Sequence, residues 1–374
     1  MGDRGGGRLE TLTGLRFFAA AAIVVHHLRG TFGFDVHVTW PLDNAVSFFF
    51  VLSGFILTHV YGQLETAATI KHFWLARFAR IWPLHAVTLA FAWAAFYPGE
   101  PGLPWLANIA LLQSWIPIQH FYFSYNAVSW SISTEAFFYL MFPLLIFRFS
   151  RTWWWKLLLS FFALLAMAVL SDRLASTSLD AVSQNGLIYV NPLANVFQFT
   201  LGMATALLWK RASSCSVSAR TGTILEAAAI FIFLMVGEEV IHTTQFIYHL
   251  TGSAGLTNWI GHGGGTCIPA AALIFVMAHQ AGRIGRMLAT RPIVFLGEIS
   301  FSIYMTHQLI IYTFSRNKDL FARYPDEAII CLMVCVIIAA SALCWYWIER
   351  PARVAIVRLS AERTGPELQA PIAL

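Results

Sequence analysis

Apolar runs long enough to cross a membrane recur along nearly the whole chain. They lie at 12–28, 44–61, 79–97, 129–147, 154–170, 188–208, 223–240, 265–281, 293–314 and 328–348. A hydrocarbon slab about 30 Å thick takes roughly 20 apolar residues of helix. The pattern therefore predicts an all-α polytopic membrane protein of about ten transmembrane helices. Composition agrees: of 374 residues, 58% are hydrophobic and 11% charged, and the mean hydropathy of +0.64 is beyond a soluble chain of ordinary make-up. One further run, Trp105 to Ile116, is bracketed by Pro101, Pro104 and Pro117 and reads as a short re-entrant or interfacial segment.

Charge sets the orientation. With ten spans and the N-terminus inside, the cytoplasmic clusters are Arg4, Arg8 and Arg16, then Lys71, Arg77 and Arg80, then Arg148, Arg151 and Lys156. They continue with Lys210, Arg211 and Arg220, with Arg283, Arg286 and Arg291, and with Arg350, Arg353, Arg358 and Arg363. Only Arg29, Arg173, Arg316, Lys318 and Arg323 remain outside, whereas a spanning 105–116 would turn the balance outward. The positive-inside rule thus predicts cytoplasmic N- and C-termini. The net charge of +5 is spread over these clusters, which argues for membrane topology and against nucleic acid as a partner.

Residues 1–8 read as a disordered N-terminus, 9–353 as one membrane domain and 354–374 as a cytoplasmic tail, disordered beyond Arg363. Arg16 interrupts the first apolar run, so an uncleaved first span is expected rather than a signal peptide. The five cysteines form no CxxC pair and read as small buried apolar residues; no metal site is expected. The outer loops near 98–128 and 241–264 suit a lid or an acceptor groove.

Ionisable groups inside a membrane helix are costly and point to function. Arg16 and His27 stand eleven residues apart, about 1100° of helical turn, which places them within about 20° of one face and roughly 16 Å apart along the axis. His26 falls about 80° away. His27, Glu135 and His307 would share one depth toward the outer side, where a general base and its orienting partners meet a hydroxyl. Arg77 and Arg80, at i and i+3, share a face on the same side as Arg16 and suit a phosphate-rich cytosolic ligand. Each has a plainer competitor. The arginines are also explained as interfacial anchors, His307 as a satisfied core histidine, and Ser53 and Gly54 as helix-packing residues. Glu349 with Arg350 reads most simply as an interfacial ion pair, with Pro351 stopping the helix.

In order along the chain, GLRFFAAAAIVVHH, AVSFFFVLSGFIL, FWLARFARIWPLH, WSISTEAFFYLMFPLL, FLGEISFSIYMTH and YWIERPAR resemble the motifs of acyltransferase family 3. These are integral-membrane O-acyltransferases of bacterial surface polysaccharides and some secreted metabolites. The resemblance covers about Leu9 to Arg353. Arg16 and His27 fit the first-helix pattern and His26 does not; Arg77 and Arg80 match an RxxR pattern; Trp130, Ser131 and Glu135 match a tryptophan-serine-glutamate stretch.

The resemblance implies a multi-pass protein of the bacterial cytoplasmic (inner) membrane that moves an acyl group, by default acetyl, from cytoplasmic acyl-CoA to a hydroxyl of an outer-face carbohydrate. Many relatives carry an SGNH-type hydrolase domain after the membrane part; an acyl-serine relay on such a domain is not expected here. His27 is expected as general base, Glu135 and His307 as orienting or relay groups, Arg16 as a catalytic group that fixes CoA or polarises the thioester carbonyl, Arg16, Arg77 and Arg80 as the acyl-CoA contacts, and Ser53, Trp130 and Ser131 as substrate contacts. No permanently bound cofactor is expected, and acyl-CoA (acetyl-CoA by default) is the donor substrate.

The other expected partners are the lipid bilayer, a carbohydrate acceptor and polysaccharide-assembly proteins. An exopolysaccharide or related glycan is the preferred acceptor, ahead of O-antigen, peptidoglycan or an antibiotic sugar. Direct transfer and a covalent acyl-histidine both remain open. From another class, the competing reading is a transporter or flippase of a lipid-linked saccharide.

Overall fold

A computed structural model describes residues 9–32, 40–97, 99–213 and 217–364. The expected disordered start, Cys215 and the tail beyond Thr364 lie outside the described residues. The long helices are α1 (Glu10–Phe32), α2 (Ala45–Val60), α3 (Ala67–Phe96), α4 (Trp130–Ile146), α5 (Phe149–Leu174), α6 (Pro192–Ala212) and α7 (Ala219–Glu238). They are followed by α8 (Ala254–Gly261), α9 (Cys267–Met277), α10 (Arg291–Glu298), α11 (Ser300–Arg316), α12 (Asp326–Cys344) and α13 (Arg350–Thr364). No strand occurs among the described residues.

Six continuous helices are long and apolar enough to cross a membrane, and two bent pairs, α8–α9 at 58° and α10–α11 at 62°, raise this to eight. Of the ten expected runs, 79–97 and 188–208 fall in α3 and α6, of 30 and 21 residues, long enough to cross but more polar. The break between α10 and α11 divides the run expected at 293–314, while that between α8 and α9 falls just ahead of the run expected at 265–281, and α8 lies in the stretch expected as an outer loop. The 105–116 stretch holds a helix of only 7 residues, Leu103–Ile109, then a left-handed residue, Leu111 at φ 56°, and a 3-10 turn at Gln113–Trp115. At about 1.5 Å per residue that helix rises only about 10 Å. It is pinned to α4 instead, where Ser114 Oγ donates to Ser133 Oγ at 2.6 Å and Ser133 Oγ to the Leu111 carbonyl at 2.6 Å.

α2 and α6 meet backbone to backbone. A Cβ at Gly54 would sit 2.0 Å from the Phe199 carbonyl oxygen, and one at Gly202 would sit 1.9 Å from that of Val51. Small residues that admit such an approach are the usual means of packing membrane helices, where no hydrophobic effect drives association. α1 packs on α2, α10 and α11, while α3 packs on α4, α11 and α13. These helices surround the site.

Two expectations are corrected. The chain does not stop at Pro351: a π-helical stretch, Trp345–Glu349, joins α12 to α13, and Pro351 falls in the first turn of α13. The helix runs on without a gap from Asp326, and Pro351 directly follows the wider π turn, in which the Arg350 N–H reaches back five residues to the Trp345 carbonyl. Of the cysteines, Cys267 is buried, but Cys331 and Cys335 are exposed. Their i, i+4 spacing puts both on one outward face of α12, where a small apolar thiol suits lipid as well as a core.

Candidate active site

A cavity of about 140 Å³ opens between α1, α2, α3, α4 and α11, with Arg16, Arg77, Arg80, Ser53, Glu135 and Tyr304 in its wall. Sequence periodicity explains the arginines: Arg77 and Arg80 are one turn apart on α3 and face Arg16 across the space. Arg80 Nη1 donates to Glu349 Oε1 at 2.8 Å, and Ser302 Oγ donates to Glu349 Oε2 at 3.1 Å. Glu349 is 1% exposed, so this is a buried ion pair with a further hydrogen bond. The expected Glu349–Arg350 pair does not form. The π turn rotates Glu349 inward to Arg80, and the Arg350 guanidinium lies 5.6 Å over the Trp345 ring instead.

The other cations are under-satisfied. Arg77 Nη2 donates to the Tyr61 hydroxyl at 3.3 Å, but its Nε is buried without a partner. Arg353, only 6% exposed, has Nε and Nη1 unpartnered and lies within electrostatic reach of Arg77, Arg80 and Glu349. Arg16 is within reach of Arg80, Glu349 and Glu135. Buried donors on positive groups, left unpaired, are expensive, and an anionic ligand is the chemistry that satisfies them. Arg353 was missed in the sequence because Pro351 read as the end of the helix.

Glu135 sits on the cavity wall rather than beside the histidines. Its Oε1 accepts from Ser53 Oγ at 3.1 Å and from the Tyr139 hydroxyl. Of the three groups expected to meet, His27 and His307 are in contact, whereas the hydrogen bonds of Glu135 run to Ser53 on α2 and Tyr139 on its own helix. Ser131 lines the same cavity and hydrogen-bonds the Tyr304 hydroxyl at 2.8 Å. Trp130 does not line it; its ring is buried against Tyr189 at 4.6 Å and Phe50 at 6.2 Å.

His27 and His307 meet across α1 and α11, with His307 Nε2 3.1 Å from His27 Nδ1. Each Nδ1 also faces a carbonyl of its own helix, Ile23 at 3.0 Å and Ile303 at 3.1 Å. A carbonyl only accepts, so both Nδ1 atoms carry hydrogen in the neutral rings. His307 Nε2 then accepts from His27 Nδ1–H, and the lone pair of His27 Nε2 is left free. That is the arrangement of an oriented general base. His307 is fully buried, while His27 is half-buried and His26 exposed, as the helical-face argument expects. The cavity ends about one helical turn short of this pair: Tyr304 lines its wall, and the Tyr304 ring is 5.9 Å from that of His307.

Comparison with known proteins gives the family. The sequence model of the acyltransferase domain family matches residues 9–348. Acyltransferase MdmB of Streptomyces mycarofaciens is 29% identical, covering 96% of this chain and 95% of its own length. Peptidoglycan O-acetyltransferase OatA of Listeria monocytogenes is 23% identical over 81% of this chain and 49% of its own. O-acetyltransferase OatA of Staphylococcus aureus is 24% identical over 81% and 50%. The chain thus spans about half the length of the OatA proteins and nearly all of MdmB. No solved structure matches. With a family model running over nearly all of its length, the chain belongs to acyltransferase family 3, a family of O-acyltransferase enzymes.

Proposed function

We propose that the protein transfers an acyl group, by default acetyl, from cytoplasmic acyl-CoA to a carbohydrate hydroxyl at the outer face of the bacterial inner membrane. The observation that carries this reading is a cavity walled by Arg16, Arg77 and Arg80 that ends about one helical turn from an oriented histidine pair. The arginines would hold the phosphates of CoA. The roughly 16 Å of helix between Arg16 and His27 is a span for its extended pantetheine arm. His27 Nε2 takes the proton of the acceptor hydroxyl as its oxygen attacks the thioester carbonyl; an ester forms, the C–S bond breaks, and CoA leaves as thiolate. Glu135, held by Ser53 and Tyr139, fixes the polar wall along the arm, and Ser131 with Tyr304 lines the end of its path, beside the histidines where the thioester is attacked.

The reading takes α3 and α6 as spans, ten in all with the bent pairs, and both termini as cytoplasmic. The distribution of basic residues supports it. An exopolysaccharide or related surface glycan is the proposed acceptor, delivered at the outer loops with polysaccharide-assembly proteins. Equilibrium binding of CoA to the purified protein tests the donor half. Arg16→Ala and Arg77→Ala are expected to weaken binding about tenfold or more, as for loss of a charge-assisted hydrogen bond; unchanged affinity refutes it.

A further inference from the structure

The break between α8 and α9 plays no part in the mechanism above. A polar break in a membrane-length helix is tolerated only where protein covers it or a polar cavity adjoins it. Here Gly263 turns the chain at φ +114°, and a Cβ at that position would come 2.9 Å from that of Ser47, so only glycine fits. The turn brings His262 to Asp43, just ahead of α2, with Nδ1 3.0 Å from Asp43 Oδ2. The carboxylate accepts, so Nδ1 carries hydrogen, and Nε2 of the neutral ring and Asp43 Oδ1 remain as acceptors.

The pair is open to its surroundings, with side chains 40% and 15% exposed. Tyr189 lies beside it, its ring 4.9 Å from that of His262 and within electrostatic reach of both Asp43 and Tyr304. Tyr304 in turn adjoins His307, so the cluster connects to the histidine pair. Residues 42–44 pack against α1, the helix that carries His27. Beneath them Asn44 is wholly buried, and neither its Oδ1 nor its Nδ2 has a partner among the described residues. The Asn258 Oδ1, on α8, is also buried without one.

We propose that this helix break is the acceptor-binding subsite, taking an uncharged, hydroxyl-rich ligand of the sugar class. Hydroxyls of the sugar donate to His262 Nε2 and Asp43 Oδ1, and its apolar face lies on Tyr189. Neither Asp43, Asn44 nor Tyr189 is a cation, so the cluster does not favour an anion, in contrast to the arginine-lined cavity. The inference rests on the acyltransfer reading above and adds the place where the acceptor is held.

Transfer from labelled acetyl-CoA into de-O-acetylated surface glycan, titrated separately in donor and acceptor, is the test. His262→Ala and Asp43→Ala are expected to raise the acceptor KM about tenfold, which is about 1.4 kcal/mol. The KM for acetyl-CoA stays at the wild-type value, and kcat stays within about threefold, since the hydroxyl-binding loss precedes the chemical step. His262→Gln, which keeps an accepting oxygen, recovers part of the loss. An acceptor KM within twofold of wild type in both variants overturns the subsite while leaving the acyltransfer reading standing. Donor KM, CoA binding and kcat falling together also overturn it, as the mark of a structural role. A wild-type protein that transfers nothing overturns the reading on which the inference rests, and the inference with it.

Discussion

Replacing His307 with alanine removes the acceptor that faces His27 Nδ1–H at 3.1 Å while leaving the Ile23 carbonyl at 3.0 Å. In the proposed reaction His27 gains a proton at Nε2, and the bond to His307 strengthens as the imidazolium forms. A hydrogen bond to a charged group contributes about 1.5–3 kcal/mol, so His307→Ala should lower kcat roughly tenfold to 150-fold at about 1.4 kcal/mol per decade. The KM for acetyl-CoA should move little, because the arginines that would bind it lie in the cavity on the other side of Tyr304. His307→Gln retains an accepting oxygen and should recover much of kcat. Steady-state transfer of label from acetyl-CoA, with kcat and each KM fitted separately, reads this directly. An unchanged kcat in His307→Ala, or a loss confined to the donor KM, refutes the positioning argument.

Other consequences follow from the packing. Glu349→Gln strips Arg80, 12% exposed, of its counter-charge and should cost up to about 3 kcal/mol, read as a lowered melting temperature of the purified protein; an unchanged melting temperature contradicts the ion pair. Arg353→Ala should raise the donor KM about tenfold, one charge-assisted contact, with kcat retained; a donor KM at the wild-type value removes Arg353 from the donor site. Gly202→Ala drives a methyl into the Val51 carbonyl and should destabilise by about 1–3 kcal/mol or more, whereas Gly30→Ala, with open space around it, should be neutral. Equal melting temperatures for these two alanine variants argue against the α2–α6 contact.

The first helix was legible because its information is local: Arg16 and His27 share a face by helical arithmetic, and His26 is turned away. The shared face of Arg77 and Arg80 was legible for the same reason. The partners of Glu135 were not legible because depth along a helix does not say which neighbour a side chain turns to; Ser53 on α2 and Tyr139 on its own helix are those partners. The partner of Glu349 is Arg80, 269 residues away, and only the π turn aims it there, a local change that a hydropathy pattern does not register. The same smoothing hid the break between Glu298 and Ser300, since apolar residues continue on both sides, whereas the helix before Gly263 was missed because its stretch, rich in Gly and His, read as an outer loop. Arg353 was hidden by a proline that marks a helix stop in most settings and here directly follows a π turn that carries the helix past it.

The central claim is that His27, and not its neighbour, is the base that activates the acceptor hydroxyl. Transfer from labelled acetyl-CoA to de-O-acetylated surface glycan, in membranes carrying wild type, His27→Ala or His26→Ala, measures it most directly. Activity lost in His27→Ala and kept in His26→Ala is the predicted result; equal transfer by all three proteins contradicts it.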